Sequence, residues 1–147
     1  MENKLTGILL AGGRGLRLGE HTQGSSKALV KIEGKELGHF AIDFLKAVGA
    51  DEIIVLGAHD HENVKAHILA YCPEAKVIEG DVRGSLYSLY KAWPYISHSF
   101  LLCNADHIYK RPIALKVKNQ LQEVKAFCDF DRPLGDDDMK AEARHYD

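Results

Sequence analysis

A glycine-rich stretch with two arginines follows the first apolar segment of the chain. Gly12, Gly13 and Gly15 allow consecutive backbone N–H groups to approach an anion closely. Arg14 and Arg17 add positive charge, and a guanidinium group can bind two phosphate oxygens at once. This pattern predicts a loop that binds phosphate groups, with a flexible surface turn as the alternative interpretation.

Lys27 extends this cationic stretch and lies eight residues after Gly19. Two common phosphate-binding motifs do not account for the spacing. The dinucleotide fingerprint needs a glycine where Leu18 stands. The P-loop needs a lysine directly after its second glycine, whereas two serines separate Gly24 from Lys27. The sequence therefore predicts a long cationic glycine loop with a distal lysine.

Asp106 lies three residues after the fourth predicted strand, 100–103, and His107 follows it directly. A carboxylate at a strand end beside a phosphate loop suits Mg²⁺, which proteins hold with one or two carboxylates plus substrate phosphates. Capping of the next turn is the alternative role for Asp106. His107 is predicted either to orient Asp106 or contact substrate, or to be a packed, hydrogen-bonded histidine.

Gly84 and Ser85 precede the third predicted helix. A glycine there permits close approach of a ligand, and the free N–H groups at a helix start bind anions. Ser85 would also serve as an ordinary helix cap, and the two roles are compatible.

A third polar segment, His59-Asp60-His61, follows the second predicted strand. Its two histidines and its aspartate are typical of metal ligands, but nothing in the sequence supplies further ligands. We therefore interpret the segment as a polar turn leading into a helix.

Alternating strands and helices must position these residues. Short apolar runs predict strands, periodic apolar positions predict helices, and a brief extended piece covers 29–32. Short apolar strands separated by helices indicate an α/β fold with a parallel sheet covered on both faces, in a single domain over 1–147. Ligands of such sheets bind outside the carboxyl ends of the strands. The predicted strands are 4–10, 53–56, 76–78, 100–103 and 126–129, and the predicted helix faces are 37–48, 64–71, 86–93 and 113–124.

The composition excludes several classes of function. The 147 residues carry 19 Lys and Arg against 21 Asp and Glu, a net charge of −2, which argues against a nucleic-acid surface. No apolar run approaches the ~20 residues of a membrane-spanning helix, so we expect no membrane insertion in this segment. The odd number and wide spacing of Cys72, Cys103 and Cys128 predict reduced thiols of a cytoplasmic protein.

The glycine loop and the lysine together resemble the signature of nucleotidyltransferases that activate sugar phosphates and related phosphorylated alcohols. That signature reads L-A-x-G-x-G-x-R-(M/L), then P-K-x-L after a short gap, and it matches here from Leu10 to Leu18 and from Lys27 to Leu29. One departure is Ser26, which stands where the family has proline and is expected to loosen the turn. The resemblance implies a Rossmann-like three-layer sandwich of the nucleotide-diphospho-sugar transferase type, with a mostly parallel sheet.

The resemblance also implies roles for individual residues. Arg17 and Lys27 would stabilise the triphosphate and the charge developing on the α-phosphoryl group. Asp106 would bind Mg²⁺. Lys140 follows an acidic stretch and would contact the acceptor phosphate, a solvated loop being the alternative there. The residues implied to bind nucleotide are Leu10, Ala11, Gly12, Gly13, Arg14, Gly15, Lys27, Gly84 and Ser85.

Within the family, two segments, 85–90 and 106–109, look most like CTP:inositol-1-phosphate cytidylyltransferases. The resemblance implies a metal-dependent transferase that moves a nucleoside monophosphate from an NTP to a phosphorylated small alcohol or sugar and releases pyrophosphate. CTP and inositol-1-phosphate are the favoured partners. The alternatives are phosphocholine, aminoethylphosphonate or sugar-1-phosphate nucleotidyltransferases, or a nucleotide-binding regulatory domain without turnover.

Members of this family are usually longer than this chain. Their later segment completes the acceptor pocket and brings a second metal-binding aspartate. We therefore expect the chain to be the N-terminal, nucleotide-binding portion of such a domain, missing the C-terminal acceptor half. By itself it should bind nucleotide weakly and turn over poorly. An exposed sheet edge would favour self-association, with a homodimer as the candidate assembly.

Overall fold

The computed structural model describes residues 4–22, 24–96 and 98–121, together with Pro133. Within these ranges the longer elements alternate along the chain, as predicted. The strands are β1 (Leu5–Leu10), β2 (Lys31–Ile32), β3 (Lys35–Glu36), β4 (Glu52–Gly57), β5 (Lys76–Glu79) and β6 (Ser99–Asn104). The α-helices are α1 (Leu37–Val48), α2 (His61–Tyr71), α3 (Ser85–Ala92) and α4 (Arg111–Lys118).

Four parallel strands form the main sheet, in the order β5-β4-β1-β6. Its central strand β1 is apolar along its length because both faces are covered, and Ile8 and Leu9 are fully buried. Leu10 pairs with Leu56 on one side and with Asn104 on the other. The loops that follow β1, β4 and β6 therefore start side by side at one edge of the sheet.

Helix α1 shows how the sequence specifies the packing on one face of the sheet. Ala41, Leu45 and Val48 recur at helical spacing and are all buried. The helix ends at Gly49, whose φ of 102° allows its N–H to bond the carbonyls of the last turn. The predicted helix and its glycine cap are both confirmed.

The opposite face of the sheet is covered by α3 and differs from the predicted pattern. The helix forms as predicted, but Leu86, Tyr90 and Trp93 are 76%, 79% and 61% exposed. Ser88 and Ala92 are buried instead, because small side chains let the helix lie close to β4 and β5. The apolar stripe predicted to face the sheet is thus mostly on the outer side of α3.

Helices on both faces confirm the predicted Rossmann-like three-layer sandwich. Two boundaries need correction. Leu29 belongs to a single 3-10 turn, Lys27–Leu29, so the extended piece is confined to β2. Helix α4 ends at Lys118, short of the predicted end at 124, and the predicted strand 126–129 lies outside the described residues.

Two of the three cysteines, Cys72 and Cys103, are buried free thiols, and Cys128 lies outside the described residues. Burial raises the pKa of the Cys103 thiol to about 12, so it stays protonated at neutral pH. None of the helices in the described ranges combines the length and hydrophobicity that crossing a membrane requires.

Candidate functional site

A cleft of about 260 Å³ opens at the carboxyl ends of β1, β4 and β6. It lies where the topology of a parallel sheet predicts a ligand site. The predicted site residues that line it are Leu10, Ala11, Gly12, Gly13, Lys27, Gly84, Ser85 and Asp106.

The glycine loop lines this cleft and lies close to the neighbouring strand. The Ala11 N–H donates to the Leu56 carbonyl at 2.9 Å, which continues the sheet into the loop. A side chain on Gly12 would place its Cβ 3.0 Å from the Ala58 Cβ. Glycine at this position therefore lets the loop pass close to β4 and leaves its backbone open to the cleft.

The turn that presents Lys27 is tied to the glycine loop by hydrogen bonds. The Lys27 N–H donates to the Gly13 carbonyl at 3.0 Å. The Ser26 hydroxyl, which is fully buried, donates to the Ala11 carbonyl at 3.0 Å and accepts the Ala28 N–H at 3.3 Å. The turn that we expected to loosen without proline is held instead by bonds that a proline side chain cannot form.

Lys27 and Asp106 meet inside the cleft. The Lys27 Nζ donates to Asp106 Oδ2 at 2.7 Å, and His107 Nδ1 lies 2.5 Å from Asp106 Oδ1. Burial by itself would raise the pKa of Asp106, but Lys27 and His107 outweigh it and lower that pKa below its ordinary value. Asp106 is therefore a carboxylate at neutral pH, and one of its oxygens faces the cationic lysine.

His107 is in turn held by aromatic contacts. Its ring stacks on Tyr109 with the ring centres 5.9 Å apart, and Tyr109 stacks on the buried Phe44 of α1 at 4.3 Å. The loop after β6 is thereby anchored to a core helix. The contact between His107 and Asp106 fits the predicted orienting role as well as that of a hydrogen-bonded histidine.

The donors around Asp106 fit a metal ion that arrives with phosphate groups. Among the described residues, no cluster of three or more His, Cys, Asp or Glu side chains is arranged to hold a metal by itself. A single carboxylate suits Mg²⁺, which commonly completes its shell with waters and substrate phosphates.

One wall of the cleft is formed by the segment 81–88, at the start of α3. Gly84, with a φ of 145°, is the N-cap of the helix, and Ser85 is the first helical residue. Ser85 is therefore not the cap that we predicted as an alternative. No side-chain hydrogen bond caps this helix start.

Two residues that line this wall, Asp81 and Ser88, were not predicted as site residues. The buried Ser88 hydroxyl accepts the Asp81 N–H at 2.8 Å. Arg83 donates to both carboxylate oxygens of Asp81 and holds the pKa of that carboxyl well below its usual range. The available signal for Ser88 was a serine one helical turn before Ala92, among leucines and tyrosines.

The four remaining predicted residues are Arg14, Gly15, Arg17 and Lys140. Arg14 is exposed, and neither it nor Gly15 lines the cleft. Arg17 belongs to the 3-10 segment Leu16–His21 that follows the glycine loop. Lys140 lies outside the described residues.

The segment His59-Asp60-His61 forms a polar turn before α2, as predicted. His59 Nε2 lies 3.0 Å from the Gly24 carbonyl, and His61 Nδ1 lies 2.9 Å from the Gly57 carbonyl. Both imidazoles thus contact backbone oxygens rather than each other.

A larger cavity, of about 560 Å³, lies at the amino-terminal ends of β4 and β5. Its two lysines already have partners: Lys46 donates to Glu74 at 2.8 Å, and Lys76 lies 3.3 Å from the ring centre of Tyr95. It holds no glycine loop and lies at the end of the sheet where ligands of this fold class do not bind. The smaller cleft is therefore the candidate site.

Comparison with known proteins identifies the family and several relatives of this chain. The model of the MobA-like NTP transferase domain matches residues 7–129, a range that contains the glycine loop, Lys27 and Asp106. The bifunctional IPC transferase and DIPP synthase of Aquifex aeolicus is 38% identical over 109 residues, which cover 72% of this chain and 26% of that protein. The choline-phosphate cytidylyltransferase of Streptococcus pneumoniae is 28% identical over 109 residues, covering 70% of this chain and 45% of that protein.

Among solved structures, the inositol-1-phosphate CTP transferase from T. maritima superposes with a TM-score of 0.63 at 24% identity, over 71% of this chain and 44% of that one. This likeness confirms the predicted fold type. The chain spans less than half the length of each of these three proteins.

Proposed function

We propose that this chain, which belongs to the MobA-like NTP transferase domain family, supplies the nucleotide-binding site of an enzyme that transfers a nucleoside monophosphate from an NTP to a phosphorylated small molecule. The observation that supports this most strongly is the meeting of Lys27 and Asp106 beside the glycine loop in one cleft. A cation, a carboxylate and open backbone N–H groups together match the charge pattern of a metal-bound triphosphate.

In the proposed reaction an oxygen of the acceptor phosphate attacks the α-phosphorus of the NTP. A new P–O bond forms, and the bond from the α-phosphorus to the bridging oxygen breaks, so that pyrophosphate leaves with the electron pair. A phosphate monoester is already an oxyanion near neutral pH, and the step needs no general base. The protein's task is to position two anions and to offset their charge.

Lys27 and the glycine loop would carry most of that task. Preorganised donors stabilise developing charge best when their positions are fixed before the reaction. The Lys27 backbone is bonded to Gly13, so the residue is already placed at the cleft in the free protein. Arg17 follows in the same loop and is proposed as a further cation.

Asp106 is the residue that we propose to hold Mg²⁺, together with phosphate oxygens and water. The ion would supply charge neutralisation on the phosphate groups. Because Lys27 donates to Asp106 Oδ2 in this structure, nucleotide binding would exchange that ion pair for contacts to phosphate. His107 would keep the second oxygen of Asp106 oriented during the exchange.

CTP is the proposed nucleotide, and inositol-1-phosphate is the proposed acceptor. This specificity is supported by the relatives alone, two of which are named for cytidylyl transfer or for CTP, and one for inositol-1-phosphate. Gly84 and Ser85 line the same cleft, and we propose that the base and the ribose lie against them. Lys140 remains the proposed contact to the acceptor phosphate.

The test is pyrophosphate release by the 147-residue chain with Mg²⁺. Each of CTP, ATP, GTP and UTP is paired with inositol-1-phosphate, phosphocholine or glucose-1-phosphate. We expect release, even if slow, with CTP and inositol-1-phosphate. A preference for GTP would contradict the proposed specificity, and nucleotide binding without any release would favour the regulatory-domain alternative.

A further inference from the structure

The loop after β4 contacts the segment that leads into the Lys27 turn. The Ser25 hydroxyl donates to Asp60 Oδ2 at 2.5 Å. His59 Nε2 lies 3.0 Å from the Gly24 carbonyl. These contacts join residues 35 positions apart in the chain, and neither Asp60 nor His59 lines the cleft.

Asp60 adopts an unusual conformation to make this contact. Its φ is +56°, in the left-handed region that costs energy for any residue other than glycine and occurs most often where the surroundings fix it. It occupies the N-cap position of α2, yet its carboxylate makes no capping bond to that helix. The Asn63 side-chain amide donates to Asp60 Oδ1 at 3.0 Å and to Oδ2 at 3.2 Å, and the Ser25 hydroxyl donates to Oδ2.

The segment Gly24–Ser26 is attached on two sides. Ser26 is held by the Ala11 carbonyl, at the end of β1. Ser25 is held by Asp60, in the loop after β4. These two attachments add to the bonds that Lys27 itself makes to Gly13 and Asp106.

We infer that Asp60 is a positioning residue that holds the Ser25–Lys27 turn, so that Lys27 points into the cleft. The effect of Asp60 on nucleotide binding rests on the proposed function, whereas its effect on the position of the turn does not. The hydrogen bond from Ser25 outweighs burial and lowers the pKa of Asp60, so the carboxylate that accepts this bond is ionised at neutral pH.

Three variants of the full chain separate this role from general stability. Asp60→Gly removes the carboxylate and relieves the positive φ. Asp60→Asn keeps an acceptor oxygen and a residue that tolerates the left-handed region. Ser25→Ala removes the donor and leaves Asp60 unchanged. Glu62→Ala, whose side chain is 88% exposed, is the matched control on the same helix.

The first readout is amide hydrogen exchange at Lys27 and Ala28, with the Leu9 amide in the core strand as the reference. Asp60→Gly and Ser25→Ala should speed exchange at Lys27 and Ala28 about tenfold. Without the Ser25–Asp60 bond, the turn opens at a lower cost in free energy, and its amides exchange from the open state. Exchange at Leu9 should not change. Asp60→Asn and Glu62→Ala should remain close to the wild-type rates. Wild-type exchange at Lys27 and Ala28 in both Asp60→Gly and Ser25→Ala would overturn the inference.

The second readout is affinity for Mg–CTP in two backgrounds. Asp60→Gly should weaken binding about tenfold in the wild-type chain and not at all in Lys27→Ala, because a residue that acts through Lys27 has no effect once Lys27 is gone. Equal losses in both backgrounds would overturn the inference. If the wild-type chain binds no nucleotide, the proposed function fails, and the exchange rates still decide whether Asp60 holds the turn.

Discussion

The two walls of the cleft are held in different ways. The lysine wall, residues 24–28 with the glycine loop, bonds to segments far away in sequence: Asp106 accepts from Lys27, and Asp60 accepts from Ser25. The helix wall, residues 81–88, is held mainly by its own residues, since Ser88 and Arg83 both bond to Asp81.

The two walls also differ in the exposure of their side chains. Ser26 and Ala28 of the lysine wall are almost completely buried. On the helix wall, Val82 and Leu86 are more than three-quarters exposed. Fixed donors suit the triphosphate, which is common to all NTPs. The more open helix wall is where we place the choice of base and acceptor, and the variants below test that division.

The largest effect is expected from Lys27→Ala. Removing a preorganised charge that acts on the transition state typically lowers turnover about 100- to 1000-fold. Pyrophosphate release from CTP measures the loss, and circular dichroism shows whether the fold is kept. Lys65→Ala, which changes an exposed lysine of α2, is the control and should match the wild type. Full activity in Lys27→Ala would show that the Lys27 charge does not contribute to the reaction.

Asp106→Asn should have the next largest effect, on nucleotide affinity in the presence of Mg²⁺. A charged hydrogen-bonding partner contributes about 2 kcal/mol, which corresponds to roughly 30-fold in affinity. Titration calorimetry with and without Mg²⁺ measures the difference. We expect Mg²⁺ to strengthen CTP binding in the wild type and to have little effect in Asp106→Asn. An equal effect of Mg²⁺ on both proteins would exclude Asp106 as a ligand of the ion.

Ser26→Ala tests whether the Ser26 hydroxyl holds the turn of the lysine wall. It leaves the buried Ala11 carbonyl and the Ala28 N–H without the hydroxyl, which should cost about 2 kcal/mol of unfolding free energy. Urea unfolding measures the change. Ser26→Pro, which introduces the residue of the family signature, should restore part of the CTP affinity lost in Ser26→Ala by restricting the backbone. Unchanged stability in Ser26→Ala would mean that the hydroxyl does not hold the turn.

Ser88→Ala is the corresponding change on the helix wall and should have the smallest effect on binding. It removes a neutral acceptor for the Asp81 N–H, which we expect to lower the unfolding free energy by about 1 kcal/mol. CTP affinity should stay within about threefold, since Lys27 and Asp106 do not contact this wall by hydrogen bonds. A larger loss of affinity than in Asp106→Asn would reverse the proposed division between the walls.

Much of the lysine wall was predictable from the sequence. The apolar runs predict parallel strands, and parallel strands bring their carboxyl ends to one edge, so the loop after β1 and Asp106 after β6 had to lie at the same edge of the sheet. That they are neighbours follows from the observed order β5-β4-β1-β6. The glycines and Lys27 then indicate phosphate chemistry. The resemblance to nucleotidyltransferases adds the pairing of roles between Lys27 and Asp106.

The remaining features depend on tertiary contacts that sequence patterns do not encode. The Ser25–Asp60 bond needs a left-handed Asp60, and nothing in the periodicity predicts that conformation. The apolar stripe of α3 predicts burial of Tyr90, but the small Ser88 and Ala92 decide which side lies on the sheet. The hydroxyl of Ser26 stands in for the expected proline through a bond to the Ala11 carbonyl, which lies in another loop, and a bond from Ala28 in the same turn.

The most direct test of the proposed site is to map where Mg–CTP binds, using amide chemical-shift changes in the full chain. We expect the largest changes at Gly12, Gly13 and Lys27, with further changes at Asp106 and Ser85. Changes concentrated instead around Glu74 and Tyr95, in the larger cavity at the other end of the sheet, would contradict the proposed site.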